Sequence, residues 1–139
     1  RSCHSFSITG RAENVADIHR EIDLFCQQNG IPRNKGVLLA IAFEEAALNI
    51  INHNEHVSMI DICLLLEEGS LIVRIRDDGA PFDPLAFVDD EDILQMNNIR
   101  LLERLTDQKT YTRIMNMNNT VLSIRLEAAE NDGANDGTC

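Results

Sequence analysis

Phe43-Glu-Glu-Ala-Ala-Leu-Asn-Ile-Ile-Asn-His53 and, one hairpin later, Arg76-Asp-Asp-Gly-Ala-Pro-Phe-Asp-Pro84 decide how this chain folds. The first stretch predicts the end of a helix running from about Lys35 to His53. That helix is apolar nearly all the way round, through Val37, Leu38, Leu39, Ile41, Ala42, Phe43, Ala46, Ala47, Leu48, Ile50 and Ile51. Such a helix belongs in a core. Glu45, Asn49, Asn52 and His53 nevertheless fall at i, i+4, i+7 and i+8, which stacks them on one face. A polar stripe on a buried helix is costly unless it meets a partner, a metal or a polar ligand. The second stretch closes a strand with two aspartates and a glycine. A carboxylate at the mouth of a strand, followed by a permissive turn, suits recognition of a ligand's polar edge.

The chain has 139 residues, a net charge of −11, 44% hydrophobic and 25% charged residues. These values fit one globular domain with a proper core. The acidic balance argues against nucleic acid and anionic membranes, both of which need basic surface, and favours basic partners. It does not argue against a nucleotide held with a metal ion and backbone amides. Cys3, Cys26, Cys63 and Cys139 show neither zinc-site nor redox spacing, so a disulfide framework is not expected and a reducing cytoplasm is the default. No apolar run approaches a membrane span, and no signal peptide opens the chain. A start at Arg1 rather than methionine is expected of a domain excised from a longer product.

Cys3 to Thr9 reads as an edge strand. Arg11 to Asn29 reads as an amphipathic helix on Val15, Ile18, Ile22, Leu24 and Phe25, stopped by Asn29-Gly30 and Pro32. After the apolar helix, His56 to Leu66 and Ser70 to Arg76 form strands joined at Glu67-Glu68-Gly69. An irregular acidic stretch from Gly79 to Asp92 leads to a third helix, Ile93 to Leu105, with Ile99, Leu101, Leu102 and Leu105 facing inward. Strands at Lys109 to Met115 and Thr120 to Leu126 complete the domain, residues 1–127. Residues 128–139 are polar and near-repetitive and read as a disordered tail. The order predicts an α+β two-layer sandwich, three helices on one face of a mostly antiparallel mixed sheet. Ile41, Leu48, Ile62, Leu64, Val73, Ile75, Leu101, Leu105 and Leu122 are expected in its core.

Several single signals also have plain explanations. Asp77-Asp78-Gly79 could be a simple strand-exit turn, yet Asp77 continues the Val73, Ile75 face and should point to the covered side, with Asp78 pointing out. Glu44 lies about 100° round the helix from Glu45 and should face solvent. His53 and His56 lack a third ligand, and histidines are common at helix C-termini for dipole reasons, so no metal is assigned to them. The Asp89-Asp90-Glu91-Asp92 run reads as a solvated loop that starts the third helix with favourable charge.

Glu45-x-x-x-Asn49-x-x-x-His53 resembles the N-box of the GHKL (Bergerat-fold) ATPases, and Asp77-x-Gly79 resembles their first glycine box. The similarity runs from about Phe6 to Leu126 and is strongest to the bacterial anti-sigma-factor serine kinases. It implies a histidine-kinase-like ATPase fold, ATP or ADP with Mg2+ as cofactors, and a regulatory protein partner, a sigma factor or an anti-anti-sigma protein; a homodimer is left open. By the same resemblance Asn49 binds the magnesium between the phosphates, Glu45 is the general base, and Asp77 accepts the adenine amino group beside Gly79. Those three side chains should then converge on one cavity between the helix and the sheet.

The chain departs from the family pattern at the phosphate lid. Met96-Asn97-Asn98 stands where the relatives carry Gly-x-Gly, which leaves Asn97 and Asn98 as the cofactor-binding positions there. Pro81 replaces the second glycine of the first box and removes an amide donor. Side chains restrict positive φ, although Asn tolerates it better than most. Two functions follow: a regulatory kinase that phosphorylates a serine on its partner, or a catalytically weak protein-binding module of a larger signalling protein.

Overall fold

The computed structural model of the chain describes residues 2–54, 56–86 and 92–126. The expected tail at 128–139 and the acidic residues 89–91 lie outside the described residues. Strands β1 (Ser2–Thr9), β2 (Met59–Glu67), β3 (Ser70–Asp77), β4 (Thr106–Ile114) and β5 (Met117–Arg125) form one sheet in the order β1-β2-β3-β5-β4. All four pairings are antiparallel, so the sheet is simpler than the mixed sheet expected. Helices α1 (Ala16–Gln28), α2 (Arg33–His53) and α3 (Ile93–Leu105) supply the second layer.

Period two along the strands produces the core. Ile60, Ile62 and Leu64 of β2, Leu71, Val73 and Ile75 of β3, and Leu122 and Ile124 of β5 are all buried on the helix side. Helix α2 meets them with Leu39, Phe43, Ala46 and Ile50, and α1 adds Ile18, Ile22 and Phe25. Small residues let the helices approach closely. A Cβ at Gly36 of α2 would stand 3.1 Å from Cys26 Cβ of α1, so an added methyl group would push the two helices apart. Burial there pushes the Cys26 thiol up to about 11, with Asp23 adding to the shift. The half-buried Cys63 is also a free thiol, whereas Cys3 is disulfide-bonded.

Both tight hairpins are built on residues with positive φ. Glu68 (53°) and Gly69 (79°) join β2 to β3, and Met115 (52°) and Asn116 (64°) join β4 to β5. Two consecutive left-handed residues match the twist of the flanking strands. The first turn carries a hairpin signal in its glycine; the second does not. Accordingly β4 and β5 each begin three residues before the sequence suggests. Strand β4 is a largely exposed edge with no alternation to read, and its hydrogen bonds to β5 define it instead. The predicted helix from Arg11 begins with a short 3-10 turn at Ala12–Asn14, and α1 proper starts at Ala16.

Within α3 the inward face is centred on Ile99 and Leu102, both fully buried, with Leu105 packed against the core at partial exposure. Leu101 is only half-buried, about 100° round the helix from Leu102. Ile41 is half-buried for the same reason of phase, and Leu48 packs against the core from its margin. Leu102→Ala should therefore cost about 2–5 kcal/mol of stability and Leu101→Ala clearly less, read as shifts in urea midpoint at unchanged slope. Equal losses would contradict this placement of α3.

Candidate functional site

Asp77 ends the buried face of β3. Leu71, Val73 and Ile75 deliver it there by strand alternation, and it is 1% exposed. Its Oδ1 accepts hydrogen bonds from the Gly79 amide (2.9 Å) and from Asn118 Nδ2 (2.9 Å). Among the described residues nothing donates to Oδ2. Burial pushes the Asp77 carboxyl above the usual aspartate range. The bonds from Asn118 and Gly79 and the nearby Arg113 pull it back, Asp78 pushes it further, and desolvation prevails. Asp78 points to solvent, as alternation requires. Burial pushes it up as well, but the Ser58 hydroxyl and the Ser58 and Met59 amides together outweigh that and hold it below the usual range.

Gly79 is required for space. A Cβ there would lie 2.5 Å from Val57 Cγ2 and 2.9 Å from Asn54 Cγ, closer than real contacts allow. The permissive turn expected from the sequence is thus a close approach between strand exit and helix end, with no positive φ at this glycine. Asn54, which terminates α2, is buried there, and its Nδ2 has no acceptor among the described residues.

The segment from Gly79 to Pro84 is tied down along its length. Arg113 donates to the Gly79 carbonyl (2.9 Å), and Asn118 Nδ2 donates to the Ala80 carbonyl (2.8 Å). The Phe82 amide donates to the Tyr111 hydroxyl (3.1 Å) and to Asn118 Oδ1 (3.2 Å). Asn49 Nδ2 of α2 donates to the Pro84 carbonyl at 3.1 Å. Asp77 and Asn49 are therefore joined through this segment, one at each end. The Phe82 ring lies against His53 at 5.6 Å between centroids, which gives His53 an aromatic role.

On α2, Asn49 is 1% exposed and Glu45, one turn earlier, is half-buried. Glu45 Oε1 accepts from Asn98 Nδ2 of α3 at 3.1 Å, so Asn98 stands beside Glu45. Asn97 is exposed and opens with Arg100, Glu103 and Arg104 on a hollow of about 520 Å3 on the outer side of α3. The two asparagines of the glycine-free segment thus face different ways. Glu44 faces α1, where it meets His19 at 3.1 Å. A second hollow of about 320 Å3 lies on the far sheet face among Ser5, Ser7, Arg74 and Arg76, away from Asp77. Among the described residues no group of three His, Cys, Asp or Glu side chains could hold a metal.

Asn118, Tyr111, Arg113 and Asn54 escape sequence reading. Asn118 alone left a trace, as a polar residue on the Leu122, Ile124 face of β5. The raised carboxyl sets a pH signature for the ligand-free domain. Asp77 binds its proton more tightly folded than unfolded, so its contribution to stability falls as pH rises from the usual aspartate range through the raised folded value. Asp77→Asn removes that dependence. The stability of wild type minus that of Asp77→Asn should decline with rising pH across this window, measured by urea unfolding; a rising difference would contradict the burial argument. Gly79→Ala should cost about 1–3 kcal/mol through overpacking against Val57 and Asn54.

The fold agrees with known proteins. The fold matches the histidine kinase domain of the Erythrobacter litoralis EL346 blue-light activated histidine kinase, with a TM-score of 0.53 and 16% identity over 86% of this chain and 62% of that one. It also matches the Acinetobacter baumannii histidine kinase AdeS, with a TM-score of 0.50 and 11% identity over 91% of this chain and 70% of that one. This chain thus spans less than two thirds of the first of these. No curated protein matches. The family model for the histidine kinase-like ATPase domain matches residues 8–126, and the chain belongs to that family.

Proposed function

We propose that this domain is a cytoplasmic regulatory module of the anti-sigma type, which binds adenine nucleotide with magnesium and phosphorylates a serine on an anti-anti-sigma partner. One observation carries the nucleotide reading. The buried carboxylate of Asp77 has Oδ1 saturated and no donor on Oδ2 among the described residues. An acceptor on an almost wholly buried carboxylate, left open by the protein's own donors, suits a donor from a ligand, and the exocyclic amino group of adenine is one.

The remaining roles follow from position. Asn49, fixed through its Nδ2 to the Pro84 carbonyl, would hold magnesium through Oδ1. When bound, that ion neutralises charge on the phosphates. Glu45 would take the proton of the incoming serine hydroxyl as the serine oxygen bonds to the γ-phosphorus and the bond to the bridging β-oxygen breaks, releasing ADP. Asn98 orients Glu45, while Asn97 faces outward where a closing lid or a partner would meet it. Basic surface on that partner would complement the net charge of −11.

A second reading, a GHKL-fold module that grips a regulatory protein with little turnover, is favoured by the absence of glycine from Met96 to Asn98. Losing one pre-organised donor at a phosphate site can cost about 10²–10³ in rate. Titration with ADP should show Asp77→Asn binding weaker by at least about 1.5 kcal/mol, the scale of a hydrogen bond to a charged group. Equal affinities would remove Asp77 as the adenine reader. In a kinase assay with a cognate partner, transfer that disappears in Glu45→Ala supports the kinase, and a stable complex without transfer supports the binding module.

A further inference from the structure

Asn118 makes more polar contacts than any single side chain of the site needs for packing. It is 1% exposed and lies in β5 directly across from Asp77 of β3 and from Arg113 of β4. Its Nδ2 donates twice, to Asp77 Oδ1 and to the Ala80 carbonyl. Its Oδ1 accepts from the Phe82 amide, from the Tyr111 hydroxyl, and from Arg113 at 3.0 Å. The chemistry of those partners fixes the amide one way round. Both partners of Nδ2 are acceptors and all three partners of Oδ1 are donors, so a flipped amide would set oxygen against carboxylate and carbonyl.

Two consequences follow. Both donors of Asn118 are spent within the domain, so it has nothing to offer a base directly. Its donation to Oδ1, together with that of Gly79, leaves Oδ2 as the acceptor on which a ligand can act. We propose that Asn118 is the positioning residue of the nucleotide site: locked by Tyr111, Arg113 and the Phe82 amide, it turns the Asp77 carboxylate so that Oδ2 meets the ligand's amino group, and fixes Ala80 to Phe82 beside it. This assignment deepens the adenine reading and rests on it for the identity of the ligand. The orientation of Asp77 can be tested without any ligand.

Charged and titratable neighbours are few, which makes Asp77 a clean reporter. Asp78 adjoins it in sequence, Arg113 and Tyr111 approach through Asn118 from β4, and His53 of α2 lies against the Phe82 ring. The experiment is carbon-detected NMR titration of the Asp77 carboxyl, paired with ADP titration, in wild type, Asn118→Asp, Asn118→Ser and Tyr111→Phe. Asn118→Asp removes the donor and adds a like charge, and should raise the Asp77 midpoint well above wild type and weaken ADP by at least about tenfold. Tyr111→Phe leaves Asn118 in place but frees its Oδ1, and should weaken ADP about threefold to tenfold while remaining folded. Asn118→Ser, which keeps a short donor, should fall between wild type and Asn118→Asp.

A purely structural asparagine gives a different result. Thermal stability would fall in all variants, while the Asp77 midpoint and the ADP affinity of the folded protein stayed at wild-type values; that outcome overturns the proposal. Should Asn118→Asp not fold, Tyr111→Phe and Asn118→Ser still decide it by the same two readings. If wild type binds no ADP, the adenine reading fails, and a shifted Asp77 midpoint in the variants would still establish that Asn118 positions the carboxylate.

Discussion

A carboxylate buried at the end of an inner strand is the constraint on which the rest of this site depends. Asp77 is carried to the covered face of the sheet by the same alternation that buries Val73 and Ile75, so it cannot escape to solvent without shifting the register of β3. Desolvating it raises its affinity for a proton, and only donors on the spot limit that cost. The Gly79 amide is one donor, which brings the strand exit hard against Asn54 and Val57 and excludes a side chain at position 79. Asn118 is the other, and its own acceptor must be satisfied by Tyr111, Arg113 and Phe82. A single buried charge thereby organises the turn after β3, the edge strand β4 and the loop that runs to α2.

This coupling explains which features were legible in the sequence. Helix α2 announced itself by apolar residues on nearly every face, and β2 and β3 by alternation around Glu68-Gly69. Glu45, Asn49 and Asp77 were legible because their spacing on one helix and one strand end is a local property. The network beneath them was not. Tyr111, Arg113 and Asn118 sit on strands that meet Asp77 only through sheet pairing, at sequence separations that no motif spans. Strand β4 gave little pattern because an exposed edge need not alternate. Gly79 was legible as a glycine and misread in its reason, since spatial crowding leaves no sign in a linear sequence. Leu101 shows the remaining limit: in a helix with adjacent leucines, which of them centres the buried face is decided by a phase of about 100°, and the structure gives it to Leu102.

The two halves of the site differ in how firmly they are held. Around Asp77 each element is cross-linked to the next, from β5 through the Gly79–Pro84 segment to Asn49 of α2. On the α3 side Glu45 accepts a hydrogen bond from Asn98, Asn97 is turned outward, and Ile93 and Leu94 are largely exposed at the helix start. If Asp77 reads a base, as proposed, this donor network would favour discrimination of the base. No helix among the described residues is long and apolar enough to cross a membrane. The acidic character of the chain favours partners with complementary basic surface.

The most direct measurement compares wild-type affinity for ADP with that for the otherwise identical diphosphate of unsubstituted purine riboside, which lacks only the amino group. If Asp77 Oδ2 is the acceptor that reads the base, ADP should bind at least about tenfold more tightly, because the purine analogue leaves a desolvated carboxylate oxygen unpaired. Equal affinities for the two nucleotides would contradict the central claim that this buried carboxylate exists to meet an amino group.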